Sequence, residues 1–286
     1  CLVGSEMCIR DSHTKPSGRE PLFADGRLVV MANQYSASAS EITSGAIQDW
    51  DRGLVVGRRT FGKGLVQRPI PFPDGSMIRL TVAHYYTPTG RDIQKPYTKG
   101  DQQSYQEDIL DRFNNGELMH ADSIKYVDSL KVETLKLHRP IYGGGGIYPD
   151  KFVPLDTTEF TKYYRNVVAK GLINRYVIKY VDEHRKEIKR QFKNDDAFVK
   201  GFNVTPEMLS LLDEYAKKEG IEYNAEEAKT SAPLFSMLLK ALIGRDIYDN
   251  ATYFKVYNLH DPIFIESLKL INSPEYDSLL SSGAKK

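Results

Sequence analysis

A change of hydrophobic period between residues 27 and 57 constrains the fold of this chain most. Residues 27–32 form a short apolar run rich in β-branched side chains, which is typical of a buried parallel strand. From residue 40 to residue 50 the apolar side chains recur at helical spacing, and residues 53–57 form a second apolar run. Strand, helix and strand within about 30 residues predict a right-handed βαβ unit, so we expect an α/β core.

Three serines that alternate with alanines lie at the start of the predicted helix. Ser36, Ser38 and Ser40 form this cluster, and Glu41 follows Ser38 at the spacing of a capping box. A side chain at a helix N-terminus lies beside free backbone N–H groups and the positive end of the helix dipole. The N–H of Ala39 is therefore a candidate donor to an oxyanion.

A lysine between two glycines, Lys63, follows this cluster. A serine attacks only when a base takes its proton, and the G-x-S-x-G context of many hydrolases is absent here. A lysine can be that base in an apolar pocket, which lowers its pKa, and apolar residues on both sides of Lys63 suit such a pocket. Gln67, four residues further on, can then accept a hydrogen bond from the Lys63 amine and hold it. On the pattern alone, capping by Ser38 and a surface position for Lys63 are commoner, and both interpretations stay open.

The segments that follow alternate between turn signals and polar sequence. Asp74–Gly75 predicts a hairpin turn, and residues 95–140 are mostly polar, which favours an excursion over the surface with a short helix at 105–113. Four glycines at 143–146 permit positive φ and close backbone approach. They do not form a phosphate loop, because no Lys-Ser/Thr pair follows them.

From about residue 155 the pattern becomes helical. An apolar stripe runs from residue 160 to residue 181, and Thr205 before Pro206 predicts an N-cap with proline at the first helical position. We expect further helices over residues 234–243 and from residue 262.

These observations predict three segments. Residues 1–12 resemble translated sequencing adaptor and are left out of the fold prediction, residues 13–155 form the α/β core, and residues 156–286 form an all-helical region. Both cysteines lie in the first segment, so we expect no disulfide or thiol chemistry. The helical region is expected to cover the core or to mediate assembly, as a homo-oligomer or with an adaptor.

The charge and the apolar runs limit the class of partner. A net charge of +1 argues against a nucleic-acid or anionic-membrane partner, and no apolar run approaches the about 18 residues of a membrane span.

Three stretches of the chain resemble the carboxyl-terminal processing, or tail-specific, proteases of serine peptidase family S41. Residues 33–49 resemble the N-x-x-S-A-S-A-S-E-I helix of that family, residues 60–67 its T-F-G-K-G-x-V-Q signature, and residues 143–150 its G-G-G-G-I-x-P-D element. The resemblance covers about residues 26–155, and the helical region is less similar.

The resemblance implies a serine endopeptidase that cleaves proteins near their C-termini through an acyl-enzyme. Ser38 would be the nucleophile, Lys63 the general base and Gln67 the residue that orients Lys63. Asp49 matches an acidic position linked to activity in some members, although a solvated helix face explains it as well. The family further implies a crotonase/ClpP-like core, no metal or cofactor, an upstream PDZ domain that binds the substrate's tail, and a bacterial periplasm or cell envelope.

The chain lacks the glycine-rich strand that supplies a second oxyanion donor in the family, and it lacks the PDZ domain. We therefore expect a longer gene product and a weak or inactive fragment. Two alternatives remain: a non-catalytic scaffold on the same fold, which would use the helical region as a binding surface, and an acyl-CoA enzyme of the crotonase type. The second does not explain the spacing of Ser38 and Lys63.

Overall fold

Residues 23–98 and 100–282 are described by the computed structural model, so the predicted adaptor segment lies outside the described residues. They divide into two units. The first contains the described residues up to Leu155 and those from Glu266 onward, and the second contains Asp156–Ile265. The division after Leu155 falls where the sequence predicts a boundary, but the chain from Glu266 onward groups with the first unit. The domain assignment itself stays a prediction.

The predicted βαβ unit forms the centre of the first unit. Strands β1 (Val29–Ala32) and β2 (Leu54–Gly57) pair in parallel, with Val29 opposite Leu54, and helix α1 (Ala39–Asp49) connects them. Strand β2 is buried along its whole length, as an apolar run predicts. Strand β1 is an edge of the described sheet and leaves Met31 48% exposed, so the expectation of a fully buried first strand was wrong.

The second sheet is the predicted hairpin. Strands β3 (Leu65–Pro71) and β4 (Met77–His84) pair antiparallel, and the turn between them is stabilised by Ser76, whose N–H and hydroxyl donate to Asp74 Oδ1. Most of the hairpin is exposed, including several large apolar side chains. These are Ile70, Phe72, Met77, Ile78, Leu80 and Val82.

The polar segment between residues 95 and 140 lies mostly at the surface, as predicted, but some of its charged side chains are buried. Helix α2 (Gln102–Asn114) covers the predicted short helix, and Lys95 and Arg112 are only 3% and 4% exposed. Both charges are paired, Lys95 with Asp108 and Arg112 with Glu117. Buried charges that are paired leave no hydrophobic pattern in the sequence, so the composition of this segment could not predict that these two side chains are buried.

Three short strands complete the described sheets. Strands β5 (Lys131–Glu133) and β6 (Pro140–Tyr142) pair antiparallel, and β7 (Lys151–Phe152) is parallel to β2, which gives the order β1-β2-β7.

The second unit is entirely helical in its regular structure. Its core is formed by large apolar residues such as Tyr163, Phe198, Leu212 and Leu239, which are at most 2% exposed. Its helices are α3 (Lys162–Ala169), α4 (Leu172–Gln191), α5 (Asp195–Gly201), α6 (Pro206–Lys218), α7 (Ala225–Ile247) and α8 (Asn250–Asn258). Helix α9 (Pro262–Ile271) spans the division between the units, and α10 (Glu275–Leu280) lies in the first unit.

The predicted helix signals in this region are confirmed in part. Thr205 Oγ1 accepts a hydrogen bond from the Met208 N–H, as an N-cap should. The single stripe predicted from residue 160 is broken at Gly171, whose φ of +65° ends one helix before the next begins. No helix in the described part of the chain is long and apolar enough to cross a membrane.

The C-terminal segment of the first unit, from Glu266 onward, bonds to the residues just before strand β1. Arg27 donates to the carbonyls of Ile271 and Ser273, and it pairs with Asp277. The hydroxyl of Tyr276 bonds to both backbone polar groups of Leu28, at 3.0 and 3.1 Å.

Candidate active site

Ser38 lies at a strained turn between strand β1 and helix α1. Its φ and ψ are +56° and −119°, a left-handed conformation that a non-glycine residue rarely adopts. Such strain costs on the order of 1–3 kcal/mol and is concentrated at functional sites. A serine on a sharp strand-to-helix turn is also how many hydrolases present a nucleophile. Ala39 is the first residue of α1, so its N–H has no partner within the helix.

A buried carboxylate, that of Glu41, holds this turn. Glu41 has no exposed surface, and its Oε2 accepts hydrogen bonds from the backbone N–H of Ser38 at 3.0 Å and of Lys63 at 2.8 Å. One oxygen atom therefore links the backbones of the two residues that the sequence proposes as nucleophile and base. The other oxygen, Oε1, accepts from the Thr60 hydroxyl at 2.5 Å and the Gly62 N–H at 2.6 Å.

The glycine-lysine-glycine loop, residues 62–64, is fixed at its remaining backbone groups as well. The Gly62 carbonyl accepts from the Lys95 N–H at 3.0 Å, and the Gly64 N–H donates to Gln94 Oε1 at 2.9 Å. The Gly64 carbonyl accepts from the Tyr85 N–H. The backbone at Lys63 is therefore held in place, although its side chain is not.

The glycines of this loop allow a close approach of the tetraglycine segment. Gly62 has a φ of +85°, and a Cβ at Gly146 would lie 2.8 Å from the Thr60 carbonyl oxygen and 3.0 Å from the Gly62 nitrogen. The Ile147 N–H donates to the Thr60 hydroxyl at 2.7 Å. The close backbone approach expected for residues 143–146 is confirmed, and it is made to the loop that carries Lys63.

The side chain of Lys63 is exposed, which contradicts the expected apolar pocket. Within the described residues, no hydrogen bond joins Ser38 Oγ to Lys63 Nζ, and none joins Gln67 to Lys63. Gln67 is also exposed, on strand β3 immediately after a bulge between Val66 and Gln67. Lys63 and Gln67 are exposed for a local reason. The loop buries Gly62 and Gly64 on either side of Lys63, and the hairpin that carries Gln67 is solvated.

A different lysine, Lys95, occupies the aromatic environment. Its Nζ lies 4.1 Å from the ring centroids of both Phe61 and Tyr105, and it donates to the Tyr105 carbonyl at 2.8 Å. Burial lowers the pKa of Lys95, and the Asp108 carboxylate at 3.2 Å acts in the opposite direction. Phe61 thus packs against Lys95, and this contact fixes the start of the loop before Lys63.

Asp49 is a buried structural carboxylate, so the solvated-face interpretation was wrong. Its oxygens accept from the Arg91 guanidinium at 2.7 Å and from the Thr89 N–H and hydroxyl at 2.9 and 2.8 Å. Asp49 and Ser38 are eleven residues apart in sequence, so the length of α1 separates them by about 16 Å at 1.5 Å per residue.

We expect Asp49→Ala to destabilise the first unit by about 3–5 kcal/mol, because it leaves the Arg91 charge buried without its partner. Urea unfolding measures this loss, and Asp122→Ala, a change at an exposed carboxylate, is the control. If Asp49→Ala lost activity but unfolded like the unmodified protein, a role in the chemistry would replace the structural one.

Sequence reasoning missed the roles of Glu41, Thr60 and Lys95. The only sequence pattern that included Glu41 was its capping-box spacing from Ser38, which predicts a local helix cap and no contact with Lys63. Among the described residues, no group of histidine, aspartate and glutamate side chains is arranged to hold a metal ion.

Comparison with known proteins relates the two parts of the chain to different families. Residues 5–104 match Peptidase family S41, and residues 163–249 match a family of unknown function, DUF8443. The S41 match begins at residue 5, within the segment predicted to be adaptor.

The similar curated proteins are processing proteases. A chloroplastic C-terminal processing peptidase of Tetradesmus obliquus is 51% identical over 94 residues, which are 33% of this chain and 20% of the relative. A carboxyl-terminal-processing protease of Picosynechococcus sp. is 49% identical over 90 residues, 32% of this chain and 22% of the relative. A probable CtpA-like serine protease of Staphylococcus aureus is 30% identical over 193 residues, 63% of this chain and 36% of the relative.

A solved structure, that of a photosystem II D1 C-terminal processing protease, is 53% identical over 24% of this chain and 18% of that one, with a TM-score of 0.23. The chain thus spans about a fifth of the first relatives that it matches. It carries S41 peptidase sequence, and its homologues are carboxyl-terminal-processing proteases from bacteria and chloroplasts.

Proposed function

We propose that this protein is a serine endopeptidase that cleaves polypeptides near their C-termini, with Ser38 as nucleophile and Lys63 as general base. The observation that supports this most is the Glu41 carboxylate, whose Oε2 binds the backbone N–H groups of both residues. The strained turn at Ser38 and the names of the relatives point the same way. The relatives give no support to a non-catalytic scaffold.

In the proposed reaction, a neutral Lys63 removes the proton of the Ser38 hydroxyl, and the oxygen attacks the scissile carbonyl carbon. Backbone N–H groups, that of Ala39 among them, stabilise the oxyanion by about 3–4 kcal/mol per donor. Lys63 passes the proton to the leaving amine as the C–N bond breaks, which leaves an ester on Ser38. Lys63 then deprotonates a water molecule, and the hydroxide hydrolyses this ester.

The exposed position of Lys63 sets a condition on this reaction. An ammonium group in water keeps its proton at neutral pH, and only removal from water lowers its pKa enough for a base. We therefore propose that Lys63 is covered in the active enzyme by bound substrate or by further S41 sequence. Gln67, four residues along the chain, would then accept a hydrogen bond from the covered amine and orient it.

Several finer features belong to the same proposal. The parallel βαβ unit beside an exposed hairpin is compatible with a crotonase/ClpP-like core. A substrate with an accessible C-terminal tail would be held by a PDZ domain, and no metal or cofactor takes part. The proposed location is a bacterial periplasm or cell envelope, and some of the relatives are bacterial proteins. Assembly through the helical region, with a second copy or an adaptor, remains part of the proposal.

The experiment compares this chain with an extended chain, in which the N-terminal part of the Picosynechococcus relative precedes residue 26. Each is incubated with a carrier protein that ends in a disordered tail, and mass spectrometry measures the products. We expect the extended chain to cut within the tail, and this chain alone to do so at least about 100-fold more slowly, because a Lys63 that stays exposed would contribute none of the 10²–10⁴-fold of a general base.

The resemblance also implies tails that often end in apolar residues. A carrier whose tail ends in acidic residues instead is therefore the matched control, and we expect it to be cut more slowly. Equal rates for both chains would show that Lys63 needs no cover. Cleavage away from the tail by the extended chain would contradict the proposed specificity.

A further inference from the structure

A groove between helices α4 and α6 of the second unit is open to solvent and has an aromatic and apolar lining. Its volume is about 340 Å³, within the range of pockets that hold a ligand. Both helices lie inside residues 163–249, the segment that matches the family of unknown function. We call it the α4–α6 groove, and its lining is Tyr176, Tyr180, His184, Met208, Leu211 and Tyr215.

One wall of the groove is a ladder of rings on α4. Tyr176, Tyr180 and His184 are each four residues apart, which places them on one face of the helix. The rings of Tyr180 and His184 stack at 4.3 Å and 16°, and those of Tyr176 and Tyr180 at 6.1 Å and 23°. The Tyr176 hydroxyl donates to the Met208 carbonyl, and burial raises its pKa to about 12, so this ring stays neutral at physiological pH.

The other wall leaves apolar surface uncovered. Leu211 on α6 is 51% exposed, although it is a large aliphatic residue, and Met208 beside it is buried. A partner that places apolar side chains here would remove this surface from water, at about 25 cal/mol per Å².

The rim of the groove is charged. Glu183, Glu207 and Glu214 are exposed, and none of them forms an ion pair with another described residue. In contrast, Glu219, which follows the last residue of α6, pairs with Arg175 at 3.1 Å. Two lysines, 179 and 218, also line the rim, so carboxylates outnumber ammonium groups by three to two.

Cations already lie on tyrosine rings in this unit, one of them on a ring of the groove itself. Lys217 Nζ lies 3.9 Å from the centroid of the Tyr223 ring, and the Arg175 guanidinium carbon lies 5.9 Å from that of Tyr215. A stacked ring pair with carboxylates beside it would hold an incoming Arg or Lys side chain in the same way, by cation–π attraction.

We propose that the α4–α6 groove binds a segment of a partner polypeptide in which Arg or Lys side chains alternate with apolar ones. The basic side chain lies over Tyr180 and His184 with Glu183 and Glu214 near its charge, and the apolar side chains cover Leu211. This site lies within the second unit and does not depend on the proposed peptidase reaction, so either can fail without the other.

The test titrates the full chain into a fluorescein-labelled peptide of alternating leucine and arginine and follows anisotropy. Two matched peptides carry citrulline or glutamate in place of arginine, and mass spectrometry checks that each peptide stays intact. We expect binding of the arginine peptide, about fivefold weaker binding of the citrulline peptide, and none of the glutamate peptide, as loss of the cation–π contact and then charge repulsion would give.

Variants locate the site. Glu183→Gln with Glu214→Gln should weaken binding of the arginine peptide about fivefold, from two exposed ion pairs, and Tyr180→Leu should do so by about threefold while it keeps the apolar bulk. Glu222→Gln, at an exposed glutamate outside the groove, is the matched control and should change nothing. Equal or tighter binding of the glutamate peptide, no binding of any peptide, or equal losses in the control would each overturn the proposal.

Discussion

Replacement of Ser38 by alanine is expected to lower turnover of a tailed substrate by the extended chain by roughly four to six orders of magnitude. The change removes the oxygen proposed to form the acyl ester and leaves the backbone donors of the turn in place. The bond from the Ser38 N–H to Glu41 does not involve the side chain, so the turn should persist. Rates of tail cleavage and the midpoint of urea unfolding are measured together.

The serine cluster supplies its own control. Ser40 lies two residues away on the first turn of α1, with an exposed side chain, and Ser40→Ala should retain nearly full activity. Appreciable turnover by Ser38→Ala, or an equal loss in both variants, would remove Ser38 from the role of nucleophile.

Replacement of Glu41 by glutamine is expected to reduce both stability and activity. An amide can face only one of the two pairs of donors with its oxygen, so two backbone or hydroxyl groups lose their acceptor in a fully buried position. Each such group costs about 1–3 kcal/mol, so the two together predict a loss of roughly 2–6 kcal/mol on urea unfolding. Because Glu41 holds the backbones of Ser38 and Lys63 together, turnover should also fall by 10²-fold or more, as a displacement of about 1 Å would cause.

The control for this variant is Glu133→Gln, at a carboxylate that is 64% exposed and lies 3.3 Å from His138. It should leave stability within about 0.5 kcal/mol of the unmodified protein. Hydrogen exchange adds a readout that a general loss of stability would not produce. The amides that lose their acceptor, either Ser38 and Lys63 or Gly62, should exchange faster in the variant than in the unmodified protein, and the amides of strand β2 should change less. Unchanged turnover with an intact fold would show that Glu41 does not position the two residues.

Local sequence patterns predicted the parts of the fold that depend on local geometry. The change of period after residue 32 predicted β1, α1 and β2, because strand and helix periods are properties of the backbone. Turn chemistry predicted the hairpin at Asp74–Gly75, and a polar cap predicted the start of α6 at Thr205.

The environment of each site residue could not be predicted in the same way. Burial depends on which distant segments pack against a residue. For this reason Lys63, which was expected in an apolar pocket, is exposed, and Lys95, which was expected at the surface, is buried. Both have apolar or aromatic neighbours in sequence, yet of the two only Lys95 is enclosed, by Phe61 and Tyr105. The same limit hid the Asp49–Arg91 pair, whose members are 42 residues apart.

Glu41 illustrates how one residue can satisfy a local and a distant requirement. The capping-box spacing predicted its bond to Ser38, three residues away. Its bonds to Thr60, Gly62 and Lys63 span 19 to 22 residues and follow only from the packing of the βαβ unit. The sequence therefore predicted the local bond of Glu41 to Ser38, and only the structure shows that Glu41 also binds the loop that carries Lys63.

The most direct test of the central claim, that Lys63 activates Ser38 as a nucleophile, is to trap the acyl group. The extended chain is mixed with a p-nitrophenyl ester, quenched in acid and digested, and mass spectrometry measures the acylated fraction of the peptide that contains Ser38. We expect acylation of Ser38 itself, about 10²–10⁴-fold slower in Lys63→Met, which removes the base but keeps the length of the side chain. Acylation of Ser38 at an equal rate in Lys63→Met, or acylation of Ser36 or Ser40 instead, would contradict the account.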